Sequence, residues 1–134
     1  MKKKKLISIS IIVVLIICII LIGKSLIGSH PFKNLTVEEI AGATVELYPP
    51  DTKAELNSQE IEDLVGILHE VVIYKEDNSY TEYNGQGVVF EITKTDGTIT
   101  RINAYNPFII IDGVGYKTKY EPCEQLSRLG NNIR

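Results

Sequence analysis

From Leu6 to Ile22 the chain runs 17 residues without a charge, 14 of them Leu, Ile or Val and the others Ser8, Ser10 and Cys18. At 1.5 Å per residue this is about 26 Å of helix, or about 34 Å if it continues through Leu26, Ile27 and Gly28 with Lys24 snorkelling outward, against a hydrocarbon core of about 30 Å. A helix apolar on every side has no wet face, so residues 6–28 are read as a transmembrane anchor in the lipid bilayer. Its insertion is favourable by at most about 4 to 8 kcal/mol, since the per-residue values apply at the bilayer centre. Clustered lysines stay on the cytoplasmic side, which makes residues 1–5, with Lys2 to Lys5, a cytoplasmic basic tail and exports the rest. A cleaved signal peptide shares the basic start, but its apolar stretch is about 7 to 15 residues and ends in a small-x-small site. Gly23-Lys24-Ser25 is the one passable site, and a charge occupies its middle. An uncleaved signal anchor is therefore preferred, and lipidation at Cys18 is disfavoured because Ile17 precedes it where a small residue is needed.

Beyond Ser29 lie 9 of the 14 basic residues and all 17 acidic ones, a net charge of −8. Phosphate contacts need a basic face, so nucleic acid is excluded as a partner. Ordinary apolar content, 5 Pro and 2 Cys in 134 residues also exclude a disordered, collagenous or disulfide-stapled chain. What remains is one acidic domain, extracytoplasmic and tethered to the cell membrane, over residues 35–134 behind a stalk at 29–34.

Within that domain, Thr36 and Glu39 form a capping-box pattern for a brief helix, and Thr44 to Tyr48 then alternate as a strand. Pro49-Pro50-Asp51-Thr52 makes a turn, and Lys53 to Leu56 return as a short strand. Asn57 and Glu60 cap an amphipathic helix whose stripe is Ile61, Leu64, Val65, Leu68 and Val71 or Val72. Gly66 inside it costs about 1 kcal/mol relative to Ala, which points to a close packing contact in preference to plain tolerance. Val71 to Tyr74 read as a strand, Lys75 to Gln86 as a polar loop containing Tyr83-Asn84-Gly85, and Val88 to Ala104 as a hairpin turning at Thr95-Asp96-Gly97. Tyr105-Asn106-Pro107 and Asp112-Gly113 turn into strands at Phe108 to Ile111 and Val114 to Lys117. A last helix runs from about Pro122 through Cys123, Leu126 and Leu129, with Gly130 as its stop. Short turns between successive strands imply an antiparallel sheet. The fold class is α+β, with two main amphipathic helices packed on one face and a single N-terminal transmembrane helix in front.

Catalytic and metal motifs are missing, and neither a catalytic residue nor a cofactor is assigned. His69-Glu70 lacks the second His of a zinc protease, since position 73 is Ile, and is read as structural at the helix C-terminus. Two His and one exported Cys cannot form a His/Cys zinc cage. Cys123 falls on the apolar stripe of the last helix and is read as a buried small hydrophobe. Glu76, Asp77, Asn78 and Glu82 lack calcium-loop spacing and read as a solvated acidic loop. Neither a serine-hydrolase motif nor a dinucleotide fingerprint occurs, Gly85-Gln86-Gly87 having no third glycine.

The remaining signal is tyrosine beside lysine. On one strand Tyr116, Thr118 and Tyr120 would share a face and Lys117 and Lys119 the other, a cationic strip on an anionic body. With Tyr105 these residues are the candidate contact face for an envelope protein or an anionic wall ligand. The plainer reading is edge-strand lysines that deter aggregation beside half-buried core tyrosines.

Leu47-Tyr48-Pro49-Pro50, Ala104-Tyr105-Asn106-Pro107-Phe108 and Gly113-Val114-Gly115-Tyr116-Lys117, followed by a short terminal helix, resemble an uncharacterised exported domain of Firmicutes. Such domains stand behind a single membrane anchor or at the outer end of antibiotic-sensor-type membrane metallopeptidases. The resemblance implies a sensory or accessory role and no known active site. No peptidase module is present, so no peptidase activity carries over. The reading is thus a non-catalytic, membrane-anchored binding domain. The alternative is an envelope hydrolase or transferase, which requires a deep pocket with at least two perturbed acids. A third is an anchored assembly factor that needs the membrane helix itself.

Overall fold

The computed structural model describes residues 2–133, the side chains of Lys24 and Ser25 excepted, so the snorkelling expected of Lys24 lies outside the described residues. Helix α1 (Lys2–Ile27) contains a segment, Lys2–Gly23, long and apolar enough to cross a membrane. Every Leu, Ile and Val from Leu6 to Ile22 is at least 49% exposed, so none of these side chains joins the core of the domain.

At Gly28, with φ of 79°, the helix gives way to extended chain, and Ser29 pairs at once with Ile73 through hydrogen bonds of 2.8 and 2.9 Å. Residues 29–34, expected as a stalk, are therefore fastened to the domain. The cause is apolar: Phe32 packs on the core, Leu35 is buried, and the Leu35 carbonyl accepts a 2.6 Å hydrogen bond from His69 Nε2.

Seven strands follow: β1 (Ile40–Tyr48), β2 (Thr52–Glu55), β3 (Ile73–Glu76), β4 (Gly87–Lys94), β5 (Ile99–Tyr105), β6 (Phe108–Ile111) and β7 (Val114–Thr118). They form one antiparallel sheet in the order β2-β1-β4-β5-β6-β7-β3. Two helices, α2 (Ser58–Glu70) and α3 (Tyr120–Asn132), complete the α+β fold, with short 3-10 turns at Val37–Glu39 ahead of β1 and at Ser79–Glu82 between β3 and β4. Register aligns Ala54, Val45, Phe90, Ile102, Ile111 and Val114 in one row across the sheet, on the face that α3 covers. Alternation puts Glu46, Glu91, Arg101 and Asn103 on the other face.

The capping box of α2 is complete: Asn57 Oδ1 accepts from Glu60 N at 2.9 Å and Glu60 Oε2 accepts from Asn57 N at 2.7 Å. Leu64, Val65 and Leu68 are its buried stripe. Gly66 is not the packing contact expected of it. It faces solvent, and a Cβ there would meet nothing within 4 Å, because the apolar stripe turns away from position 66. The close approach belongs to Gly130, which is also not a helix stop: α3 begins at Tyr120 and continues through Gly130 to Asn132. A side chain at 130 would overlap Val88 Cγ1 and stand 3.2 Å from Val45 Cγ2, so glycine lets the helix lie directly on β1 and β4.

The polar loop between β3 and β4 is exposed from Thr81 to Gln86 but is fastened to the sheet. It folds over the second face of the sheet, where Tyr80 and Tyr83 cover Phe108 with ring centroids 6.4 and 5.8 Å away. Asp77 N donates to Gly115 O and Gly115 N to Asn78 Oδ1, each at 2.8 Å. A Cβ at Gly115 would stand 2.5 Å from Asp77 O and 2.6 Å from the Tyr80 ring, so only glycine admits the loop.

Candidate functional site

The five residues expected to form one contact face are dispersed. Tyr116 lies half-buried against the core, and Lys117, one residue on, points to the opposite face. There its Nζ sits 4.3 Å from the Phe108 ring centroid and 3.8 Å from Asp77 Oδ2, which makes it a tie for the folded loop. The strand does not continue to Tyr120. Thr118 Oγ1 and Lys119 N both donate to the Val72 carbonyl, at 2.8 and 3.1 Å, and this double pin turns the chain into α3. Lys119 becomes the N-cap and Tyr120 the first helical residue, 60% exposed. No continuous cationic strip forms, because its two lysines belong to different elements.

Tyr105 has a different setting. It forms part of the wall of a groove of about 320 Å³ between the loop at 83–86, the β5–β6 turn and α3. The two Tyr-Asn turns recognised in the sequence, Tyr83-Asn84-Gly85 and Tyr105-Asn106-Pro107, face each other across it. Gly85 permits this, since a Cβ at 85 would stand 3.0 Å from Tyr105 Cε2 and from its hydroxyl. The loop is fixed from behind: Gln86 Nε2 donates to Pro49 O and Gln86 Oε1 accepts from Asn131 Nδ2, each at 3.0 Å.

Asn106 is the polar centre. Its Nδ2 donates to Tyr120 O at 3.2 Å and more weakly to Glu124 Oε2 at 3.4 Å, which holds the amide in one orientation. Its Oδ1 is enclosed and has no hydrogen-bond partner. An enclosed carbonyl oxygen without a donor costs roughly 1 to 3 kcal/mol, which a ligand N–H or O–H would relieve only once the Asn106 side chain turns to expose it. Around it stand the rings of Tyr83, Tyr105 and Phe108, the Glu124 carboxylate and Ser127. The arrangement suits a ligand with an apolar flat side and outward-pointing hydroxyl or amide groups.

Nothing in the sequence marks Tyr83 or Glu124 as part of a site. The available signal was the paired Tyr-Asn turns, which local pattern reads only as turns.

No group of three or more His, Cys, Asp or Glu placed to hold a metal occurs among the described residues. Of the acids at 76–82, Glu76 and Glu82 are exposed and Asp77 serves the fold. Asp77 Oδ1 accepts from Ser79 N at 2.9 Å, and bonding to Ser79, aided by Lys117, holds its carboxyl below the usual range. Glu46 is likewise held low, by hydrogen bonds first from Tyr48 and then from Lys53, and Asp96 by Thr98. Cys123 is fully buried, donates to Phe108 O at 3.4 Å, and burial pushes its thiol up to about 12.

No protein-family model, no curated protein and no solved structure matches this chain.

Proposed function

We propose that this chain is a single-pass membrane protein whose N-terminus is cytoplasmic and whose extracytoplasmic domain binds an envelope ligand, without catalysis, in the groove between the two Tyr-Asn turns. The lysine cluster at Lys2 to Lys5 supports the orientation. The observation that carries the binding site is the enclosed, unpartnered Asn106 Oδ1 among aromatic rings. A hydroxyl- or amide-rich ligand, such as a wall glycan fragment or its peptide stem, supplies the missing donor once the Asn106 side chain turns its Oδ1 toward the groove.

Hydrolysis or transfer calls for two cooperating acids. Glu124 is the one carboxylate among the residues lining the groove, while the acids with displaced titration, Glu46, Asp77 and Asp96, are all shifted downward at separate places. That distribution favours binding over acid–base chemistry.

The test is titration of the full chain in phosphatidylcholine nanodiscs with soluble muropeptide fragments, followed by tyrosine fluorescence. Saturable binding is expected, with Kd raised about tenfold, or about 1.4 kcal/mol, in Asn106→Ala and in Tyr83→Ala, and little changed in Lys119→Ala. Absence of binding, or equal Kd in all variants, would remove the groove as the site. Protease added to intact cells should digest the domain; survival of the domain until lysis would invert the topology.

A further inference from the structure

The way α1 joins the sheet leaves the domain almost no freedom to stand away from the bilayer. Beyond the apolar segment that ends at Gly23, four helical residues, 24–27, rise about 6 Å, close to the thickness of one headgroup layer, about 5 to 7 Å. Gly28 alone then separates the helix from Ser29, which is already hydrogen-bonded to β3. The junction is tight: a Cβ at Gly28 would stand 2.5 Å from Val72 Cγ1, 2.8 Å from Ile73 O and 2.9 Å from Tyr74 Cε1. The Tyr74 ring therefore lies against the point where the anchor emerges. Lys119 N bonds to Val72 O, so the start of α3, with the exposed Tyr120, is held beside the same junction.

We infer that the β3–α3 edge of the domain rests in the phospholipid headgroup layer, with Tyr74 and Tyr120 as interfacial contacts. Tyrosine is enriched at this depth because its ring is apolar and its hydroxyl is not. Lys75 and Lys119 are offset by Glu76 and Glu121 on the same edge, so the contact does not depend on anionic lipid. The inference rests on α1 being embedded. Given that, it fixes the pose of the sheet: β2, the opposite edge, is six strand spacings away, about 29 Å across the sheet.

The test uses the full chain carrying Cys18→Ala, the buried Cys123 being retained, with a nitroxide placed at Lys75→Cys, Lys119→Cys or Lys53→Cys. Each protein is reconstituted in phosphatidylcholine vesicles doped with a headgroup-tethered nickel chelate. Relaxation enhancement is expected to be at least fivefold greater at 75 and 119 than at 53, and to persist when phosphatidylglycerol is added. Replacing Tyr120 by Ser should lower it at 75. Equal enhancement at all three positions, in protein that resists alkaline carbonate extraction, would overturn the headgroup contact while leaving the anchor intact. Release by carbonate would overturn both.

Discussion

Gly130 of α3 lies directly over Val88 of β4, so close that any side chain at 130 would overlap the valine methyl. The neighbours are β-branched residues in a packed sheet, Val88 at 1% and Val45 at 2% exposure, and neither has space to retreat. Gly130→Ala is expected to destabilise the domain by about 1 to 3 kcal/mol through overpacking, despite the better helix propensity of Ala. Urea unfolding of the full chain in detergent, followed by tyrosine fluorescence, measures it; an unchanged midpoint would mean that α3 does not sit on the sheet this closely.

Gly66 should show the reverse. Its site in α2 is open and helical, so Gly66→Ala is expected to stabilise by about 0.5 to 1 kcal/mol. The same unfolding assay decides it, and destabilisation would imply that something covers this face of α2.

The loop over Phe108 should open in acid. Asp77 is held below its ordinary carboxyl value by Ser79 and Lys117, so its contribution is complete above about pH 4 and is lost as pH falls through the depressed folded value. Protection of residues 77–86, taken relative to the intrinsic exchange rate at each pH, is expected to fall below about pH 4, ahead of protection in β4 and β5. Asp77→Ala should show the faster loop exchange already at neutral pH. Uniform exchange across loop and strands would show that Asp77 is not the tie.

Cys123 behaves as a buried hydrophobe with a pH cost. Its folded value of about 12 lies above the ordinary 9.0, so the stabilising difference is present below about pH 9 and fades as pH rises from there towards 12. Iodoacetamide at pH 8 is expected to leave Cys123 unmodified in the folded chain and to alkylate it in urea. Fast labelling of folded protein, read by peptide mass, would contradict its burial.

Local pattern accounts for much of this architecture. Apolar content on every side marks α1, period-two alternation marks β1, β4 and β5, and the Asn57/Glu60 box marks the start of α2, because each of these signals is written in residues a few positions apart. Pattern misled where neighbours distant in the chain intervened. Alternation at Tyr116, Thr118 and Tyr120 continues on paper, but hydrogen bonds to Val72 end β7 at Thr118. Both Gly66 and Gly130 stand in helices, and the sheet beneath Gly130 alone determines which one requires the absence of a side chain.

The sequence by itself determined an apolar helix long enough to cross a membrane, an acidic domain behind it, and an antiparallel sheet covered by two helices, since periodicity and charge are properties of the chain. Tertiary structure alone decided that Tyr83 meets Tyr105 across a groove, that Asn106 keeps an unpartnered oxygen there, and that Ser29 bonds to Ile73 where a stalk was expected. The physical reason is that all three depend on segments far apart in the chain, which packing of the whole sheet brings together.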